Sequence, residues 1–519
     1  MDLTKDSEAA SLCLENSKIE PVATETKKHE FPDESTDPGG WTPLLVLCGA
    51  TGCLGSALPA GFNIGVINNP ANIIKAFCND SIEERYDATV TTKQMETIWS
   101  AVVSIFLIGG VSGSLMAGFL ADKFGRRGAL AVGHTCGIIG AIMFFVVPAL
   151  NSIELLMLGR LMVGLSGGLA TSLLPMYMTE IAPLKQRGAV GVLCQLGITC
   201  GVFFGQVASL DTVLGKPDTW HIMLASFAPL CAIALVLLLF LPESPKYLYI
   251  IRGQETKALE ELTRLRNQDI SVLGKEVRSL QEESAMRSTM ENWTIGRLLK
   301  DPTLRLSVLL ICCLQFGQQL SGINAVFYYS NDIFLKAGLS TVGAQYATLG
   351  TGLINIGMAV ISVRIMSLFG RRTLFLTSCY TSMGCLVFLT IAINLIHTAS
   401  FMPWLCVIAV LAYVMFYGIG LGPIPYFIGS ELCDVGPRPA AMALGSVFNW
   451  GGNFIVGMMF SSIQGVLGAY TFLIFVTCIL LMTFFVRVYL PETRGRTTLE
   501  VVSTMSQGFK SRPNNVFNA

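Results

Sequence analysis

Apolar segments recur along this chain at nearly regular intervals. Windows of about 20 largely apolar residues, long enough to span a bilayer as a helix, return between residues 43 and 490. Twelve can be counted: 43–67, 98–120, 129–150, 153–177, 188–211, 220–241, 304–334, 342–366, 373–397, 403–430, 439–463 and 468–490. The composition agrees, with 52% hydrophobic and 13% charged residues against about a quarter charged in soluble domains. Lipid offers the backbone no partners, so each segment must satisfy its own N–H and C=O groups and reads as a helix. An all-α membrane protein with twelve transmembrane helices, embedded in a lipid bilayer, is expected.

Charge sets the orientation. Lys and Arg concentrate in the first 40 residues, in 121–128, 182–188, 242–303, 364–372 and 431–439, and after 490. The alternate loops hold only Lys75, Arg85, Lys93, Lys216 and Lys336. The positive-inside rule then places both termini in the cytosol. Residues 1–40 are polar, without an apolar leader, and read as a disordered cytosolic tail. The formal net charge is zero, which argues against nucleic acid as a partner. The loop 68–97 falls outside and carries the sequon Asn79-Asp80-Ser81, a candidate glycosylation site at Asn79. The sequon at Asn292 falls on the cytosolic side. The 15 cysteines lie mostly within apolar windows, without metal spacing, and read as small apolar filler. Cys78 stays open. No metal or other cofactor is expected.

Residues 242–303 divide the chain. Their charged sequence with apolar residues at helical spacing reads as cytosolic linker helices. Six windows precede them (41–241) and six follow (304–490), with a cytosolic tail at 491–519. The two sets share motifs in one order: "DKFGRR" (122–127) and "SLFGRR" (367–372), "TEIAPLKQRG" (179–188) and "SELCDVGPRP" (430–439), "PESPK" (242–246) and "PETRG" (491–495). An even number of helices per repeat keeps both in the same orientation, giving two parallel six-helix repeats.

With "PESP", "QQLSGINAVFYYS", "GPIPYFIGSEL", "GPRPAA", "FNW", "NFIVG" and "PETRGRT" in order, the chain resembles the sugar porters of the major facilitator superfamily. It looks close to the animal facilitative glucose transporters, over about residues 41–500. The resemblance implies a substrate site at the midplane between the repeats and D-glucose or a related hexose as partner.

A hexose is neutral and covered in hydroxyls, and amides both donate and accept without net charge. Candidates are Gln195, Gln315, Gln318, Gln319, Asn324, Asn355, Asn449 and Asn453; packing between helices is the alternative use. At about 100° per residue from Gln315, Gln318 lies near about 300°, Gln319 near about 40° and Asn324 near about 180°. An unbroken seventh helix therefore cannot aim Asn324 with the glutamines. A break at Ser321–Gly322 is expected. "GIGLGPIPY" (418–426), with Gly418, Pro423 and Pro425, reads as a second interrupted helix and a hinge. Tyr328, Tyr329, Tyr426 and Trp450 offer aromatic faces for a sugar ring and side chains for occlusion, with Tyr328 and Tyr329 read as gates; the resemblance puts Tyr426 and Trp450 at the pocket.

Asp122, Arg126, Arg127, Arg160, Glu180, Arg187, Glu243, Arg371, Arg372, Glu431, Arg438 and Glu492 are expected to cluster at the inner helix ends as a cytosolic latch, paired between the two halves. Proton-coupled members of the superfamily carry an aspartate in the first helix where this chain has Asn63. An amide does not titrate, so the expectation is hexose uniport, of glucose first and fructose second, rather than proton symport. A non-transporting sugar sensor is the reading from another class, and no enzyme is indicated. Departures from the family pattern are Gly418 for a glutamate, Tyr426 for a tryptophan, Gln315-Phe316-Gly317 for "QLS", and Ser367 for the acid of the second "GRR" motif.

Overall fold

The computed structural model describes residues 40–183, 186–289, 293–433, 436–494, 496, 498–505 and 508–510. The tail 1–39, Asn292, residues 511–519 and the side chains of Arg187 and Ser367 lie outside them. The described residues are helical, with no strand among them.

α1 (Pro43–Gly65) contains a π-helical turn at Cys53–Ala57. α2 (Ala71–Tyr86) is a short polar helix at one end of the bundle. α3 (Thr92–Leu150) holds two spans that meet at Gly125, whose φ of 83° breaks the ladder. α4 (Ile153–Ile181), α5 (Arg187–Ala208) and α6 (Trp220–Leu238) follow. α7 (Glu255–Arg266), α8 (Gly274–Thr289) and α9 (Ile295–Lys300) form the linker. Beyond it come α10 (Arg305–Gln319), α11 (Ile323–Lys336), α12 (Thr341–Leu368), α13 (Arg371–Asn394), α14 (Met402–Ile419), α15 (Ile424–Leu432), α16 (Arg438–Leu467), α17 (Thr471–Tyr489) and α18 (Thr498–Met505). Among the described residues, nine stretches are long and apolar enough to cross a membrane. Two of them, Thr92–Leu150 and Arg438–Tyr489, each hold two spans, and α5 adds one, which makes twelve.

Local chemistry fixes the ends. Thr91 and Gln94 form a capping box at α3, and Ser152 and Ser340 cap α4 and α12. Large apolar side chains such as Phe119, Phe240, Leu481 and Phe484 point outward, as lipid contact requires. The linker has a small core of its own around Tyr249, Leu262, Leu273 and Val277. Arg266 ties it to α4, donating to Glu276 at 2.9 Å and to the Ile181 carbonyl at 2.8 Å. The bundle thus has a charged end, where the linker sits, and a far end, capped by α2.

None of the described cysteines forms a disulfide, and none of them is exposed. Cys78 is buried in α2, and burial pushes its thiol up to about 12. It packs as filler like the rest. Asn79 is half-buried on α2, and the Ser81 hydroxyl of its sequon donates to the Asn151 carbonyl at 2.7 Å.

Candidate functional site

Two interrupted helices meet at the centre of the bundle. α10 stops at Gln319, and Gly322, at φ 90° and ψ 8°, starts α11. The break expected at Ser321–Gly322 is there. α14 stops at Ile419, and a turn through 420–423 leads into α15. Both breaks free backbone and side-chain polar groups beside a cavity of about 130 Å³.

The helices of the first six spans give this cavity Ile64, Thr171, Gln195 and Thr199; those of the last six give it most of its amides. Gln195, Gln319, Asn324, Asn355, Tyr426, Asn449 and Trp450 all line it, as the sequence suggested. No Asp, Glu, Lys, Arg or His does. The break at Gly322 turns Asn324 back beside the glutamines: its amide donates to Gln319 Oε1, and Gln319 Nε2 donates to Asn449 Oδ1 at 3.1 Å.

Gln315 and Gln318 do not line the cavity, which corrects their expected role as direct contacts. Both are buried and act as braces. Gln315 Nε2 donates to the Pro425 carbonyl at 3.0 Å, and Gln318 Nε2 to the Gly422 carbonyl. Their Oε1 atoms accept from Asn449 Nδ2 at 2.8 and 2.7 Å. The reason is the interruption between α14 and α15: the Gly422 carbonyl, in the turn, would otherwise be buried unpaired, at a cost of roughly 1–3 kcal/mol, and Gln315 adds a bond to the Pro425 carbonyl in the first turn of α15. These two glutamines close that gap and aim Asn449.

Tyr328 and Tyr329 are buried on the far side of the break, edge to face at 6.5 Å, with Tyr329 donating to the Gly457 carbonyl at 2.9 Å. Pro423 lines the cavity at the start of α15, while Pro425 sits behind it. Gly418 also lines it. A Cβ there would stand 2.6 Å from Met358 Cβ, so α12 packs where a larger side chain would begin. Trp450 rests on Phe106, ring centroids 6.1 Å apart. The sequence reading missed Thr171, Thr199, Ser362 and Tyr417 as lining groups. Thr199 was findable: it lies four residues after Gln195, on the same helix face.

The charged end carries two matching clusters. In the first, Arg126 donates to Glu180 through Nε and Nη2, both at 2.9 Å, and reaches Asp122 at 3.4 Å. Glu243 accepts the backbone amides of Arg126, Arg127 and Ser244 at 3.1, 3.3 and 2.9 Å. The left-handed turn at Gly125 aims those amides. Burial pushes the Glu243 carboxyl up, against the pull of the amide donors. Arg127 donates to the Leu241 carbonyl at 2.8 Å. In the second cluster, Arg371 donates to Glu431 at 3.3 Å, and Glu492 accepts the amides of Arg371 and Thr493 at 2.7 and 3.1 Å. Arg372 donates to the Arg487 carbonyl at 2.8 Å, and Arg438 to the Cys433 carbonyl at 3.3 Å. The sequence repeat is therefore a repeat of geometry.

Two corrections follow. Each cluster joins residues of its own six spans, so these ion pairs are not the inter-half latch that was expected. Arg160 belongs to neither cluster. It lies seven residues into α4 from the far end, fully buried, and donates to the carbonyls of Asn63, Val102 and Val103 at 3.0, 3.4 and 3.5 Å. The Phe106 ring lies 4.7 Å away. Asn63 turns its own amide back to the Pro59 carbonyl at 2.9 Å. Arg160 is thus solvated by carbonyl dipoles rather than by a carboxylate.

A profile of the sugar (and other) transporter family matches residues 48–505. The chain belongs to that family. It is 38% identical over 472 residues to "Solute carrier family 2, facilitated glucose transporter member 1" of Gallus gallus, covering 91% of this chain and 95% of that protein. Member 3 of Rattus norvegicus is 40% identical over 456 residues (88% and 92%), and member 5 of the same species 35% over 470 residues (90% and 93%). The fold of this sugar transporter-family chain also matches the inward-open xylose transporter XylE from E. coli, with a TM-score of 0.72 at 21% identity over 88% of this chain and 99% of that one. The proton:xylose symporter XylE bound to 6-bromo-6-deoxy-D-glucose matches with a TM-score of 0.71 at 23% identity, over 89% of this chain and 98% of that one. These structures establish the major facilitator fold.

Proposed function

We propose that this transporter is a facilitative hexose uniporter of the cell membrane, carrying D-glucose first and fructose second. The observation that carries the reading is the cavity: a set of amides and hydroxyls, with aromatic faces and no charged group, at the break of two helices. A sugar gives up its water there for Gln195, Gln319, Asn324, Asn355 and Asn449, and lays its C–H faces on Tyr426 and Trp450. The named relatives are facilitated glucose transporters, which supports the same substrate class.

Residues 41–241 and 304–490 act as two halves that rock about the cavity. The linker 242–303 and both tails, 1–40 and 491–519, face the cytosol, and Asn79 faces outside, where a glycan would attach. Tyr328, Tyr329 and the turn with Gly418, Pro423 and Pro425 gate access. The two arginine–glutamate clusters keep each half rigid at its inner end. Transport is uncoupled from protons, because Asn63 and the carbonyl-bound Arg160 offer no carboxylate to titrate.

Radiolabelled uptake in proteoliposomes tests this. The expected result is saturable, downhill entry of D-glucose, weakened by Gln319→Ala and Asn324→Ala. Entry of neither hexose, uptake indifferent to both substitutions, or accumulation driven by a pH gradient would overturn the reading.

A further inference from the structure

The far end of the bundle is sewn shut where α3 and α16 run antiparallel. A Cβ on Gly110 would meet the Trp450 ring at 2.5 Å, and one on Gly457 would meet Ser104 Oγ at 3.1 Å. One step further out, Ser461 Oγ donates to Glu96 Oε2 at 2.8 Å. The pairs descend α3 (96, 104, 110) as they descend α16 from its far end (461, 457, 450), so the two helices close like a zipper from the far end down to the cavity wall. Two further crossings are neutral: Asn68 Nδ2 to Ser330 Oγ at 2.7 Å, and Gln206 Nε2 to Thr351 Oγ1 at 3.3 Å.

Glu96 differs in being charged and shared. Its other oxygen, Oε1, takes Lys75 Nζ at 2.6 Å, and Lys75 comes from α2, the helix that caps the first six spans. Lys75 also lies 5.8 Å from the Trp99 ring, which fixes the ammonium. One carboxylate thus holds its own half through an ion pair and the opposite half through a hydrogen bond. Ser461 has a neutral hydroxyl, so separation leaves no charge unpaired: Glu96 keeps Lys75 and hands Ser461 to water. That asymmetry suits a bond that must break and re-form in each cycle.

We propose that Glu96 is the outer lock of the transport cycle, with Lys75 as its anchor and Ser461 as its catch. The inference rests on the alternating movement of the two halves proposed above. Losing the catch removes one hydrogen bond to a partly exposed carboxylate. The ratio of far-end-open to far-end-closed molecules should then rise about three- to ten-fold.

The test is a distance measured by pulsed electron paramagnetic resonance on the full-length protein in nanodiscs. Spin labels go in as a non-canonical amino acid at Glu83 on α2 and Val466 at the end of α16, both exposed. Ser461→Ala and Glu96→Ala should both enlarge the long-distance population by that factor. Lys75→Met should do so less, because it removes the anchor and leaves the catch. Ser461→Ala is small enough to fold if Glu96→Ala does not. An unchanged distribution in Ser461→Ala and in each Glu96 variant that folds would overturn the lock, whatever uptake does. The readout needs no hexose, so failure of the lock and failure of the hexose reading stay separate.

Discussion

Gly422 and Gly418 shape one wall, but the cavity depends most on Gly322, so Gly322→Ala is the perturbation with the largest worked consequence. Two costs add. At φ 90° an L-residue sits in left-handed space, worth about 1–2 kcal/mol. The new Cβ would stand 2.4 Å from the Phe475 ring, and overpacking of this kind costs roughly 1–3 kcal/mol. The sum, about 2–5 kcal/mol, is a large share of the total for most domains. The chain can escape by letting α10 run on into α11. Asn324 then swings to the face opposite Gln315, and the Asn324–Gln319–Asn449 chain comes apart. Either way the expected result is a lower thermal midpoint in detergent and D-glucose affinity reduced more than about ten-fold, since 1.4 kcal/mol is a factor of ten. Phe475→Ala removes the contact and leaves the dihedral, so it should cost less stability in the Gly322→Ala background than in the parent. Scintillation-proximity binding and scanning fluorimetry give both numbers. Gly322→Ala with the parent's midpoint and affinity would mean that neither the dihedral nor the Phe475 contact constrains the break.

Three other outcomes separate contact from support. Asn355 lines the cavity, so Asn355→Ala should weaken D-glucose binding by up to about ten-fold at constant thermal midpoint, whereas the brace variant Gln318→Ala should lower both, as paired binding and melting measurements would show. Because no Asp, Glu or His lines the cavity, initial uptake should be flat between about pH 6 and 8; Asn63→Asp, which sets a carboxylate beside the buried Arg160, should add a pH dependence visible in the same assay. Burial raises the Glu243 carboxyl, so its contribution to stability is greatest when it is protonated and is lost as pH rises through the raised value. Glu243→Gln should therefore hold the parent's midpoint or exceed it at neutral pH and flatten its decline with rising pH.

Much of this was legible from period and residue type. The twelve spans follow from apolar windows, and the break at Gly322 from the angle between Gln319 and Asn324. What one sequence cannot carry is which partner a polar group chooses. Gln315, Gln318 and Gln319 share a helix face, yet two of them turn to carbonyls of α15 and its preceding turn and one turns to the cavity. That choice depends on a carbonyl freed about a hundred residues later by a turn. Arg160 misled for a related reason. An arginine near a helix end reads as an interfacial anchor, but its depth depends on which end is nearer, and three carbonyls of α1 and α3 complete its shell.

The misplaced latch has the same root and changes how the cycle is to be understood. Repeated acids and arginines at one end suggested bonds between halves, yet the repeat itself predicts otherwise. If Arg126 and Glu180 recur as Arg371 and Glu431, each repeat already contains a complete pair, and the simplest geometry closes each on itself. Such pairs rigidify a half without choosing which end is open. The choice must then lie in contacts that cross between the halves. At the far end these are Asn68 with Ser330, Gln206 with Thr351, and Glu96 with Ser461. Each joins residues of different halves, and only such crossings can be made on one side of the cycle and broken on the other.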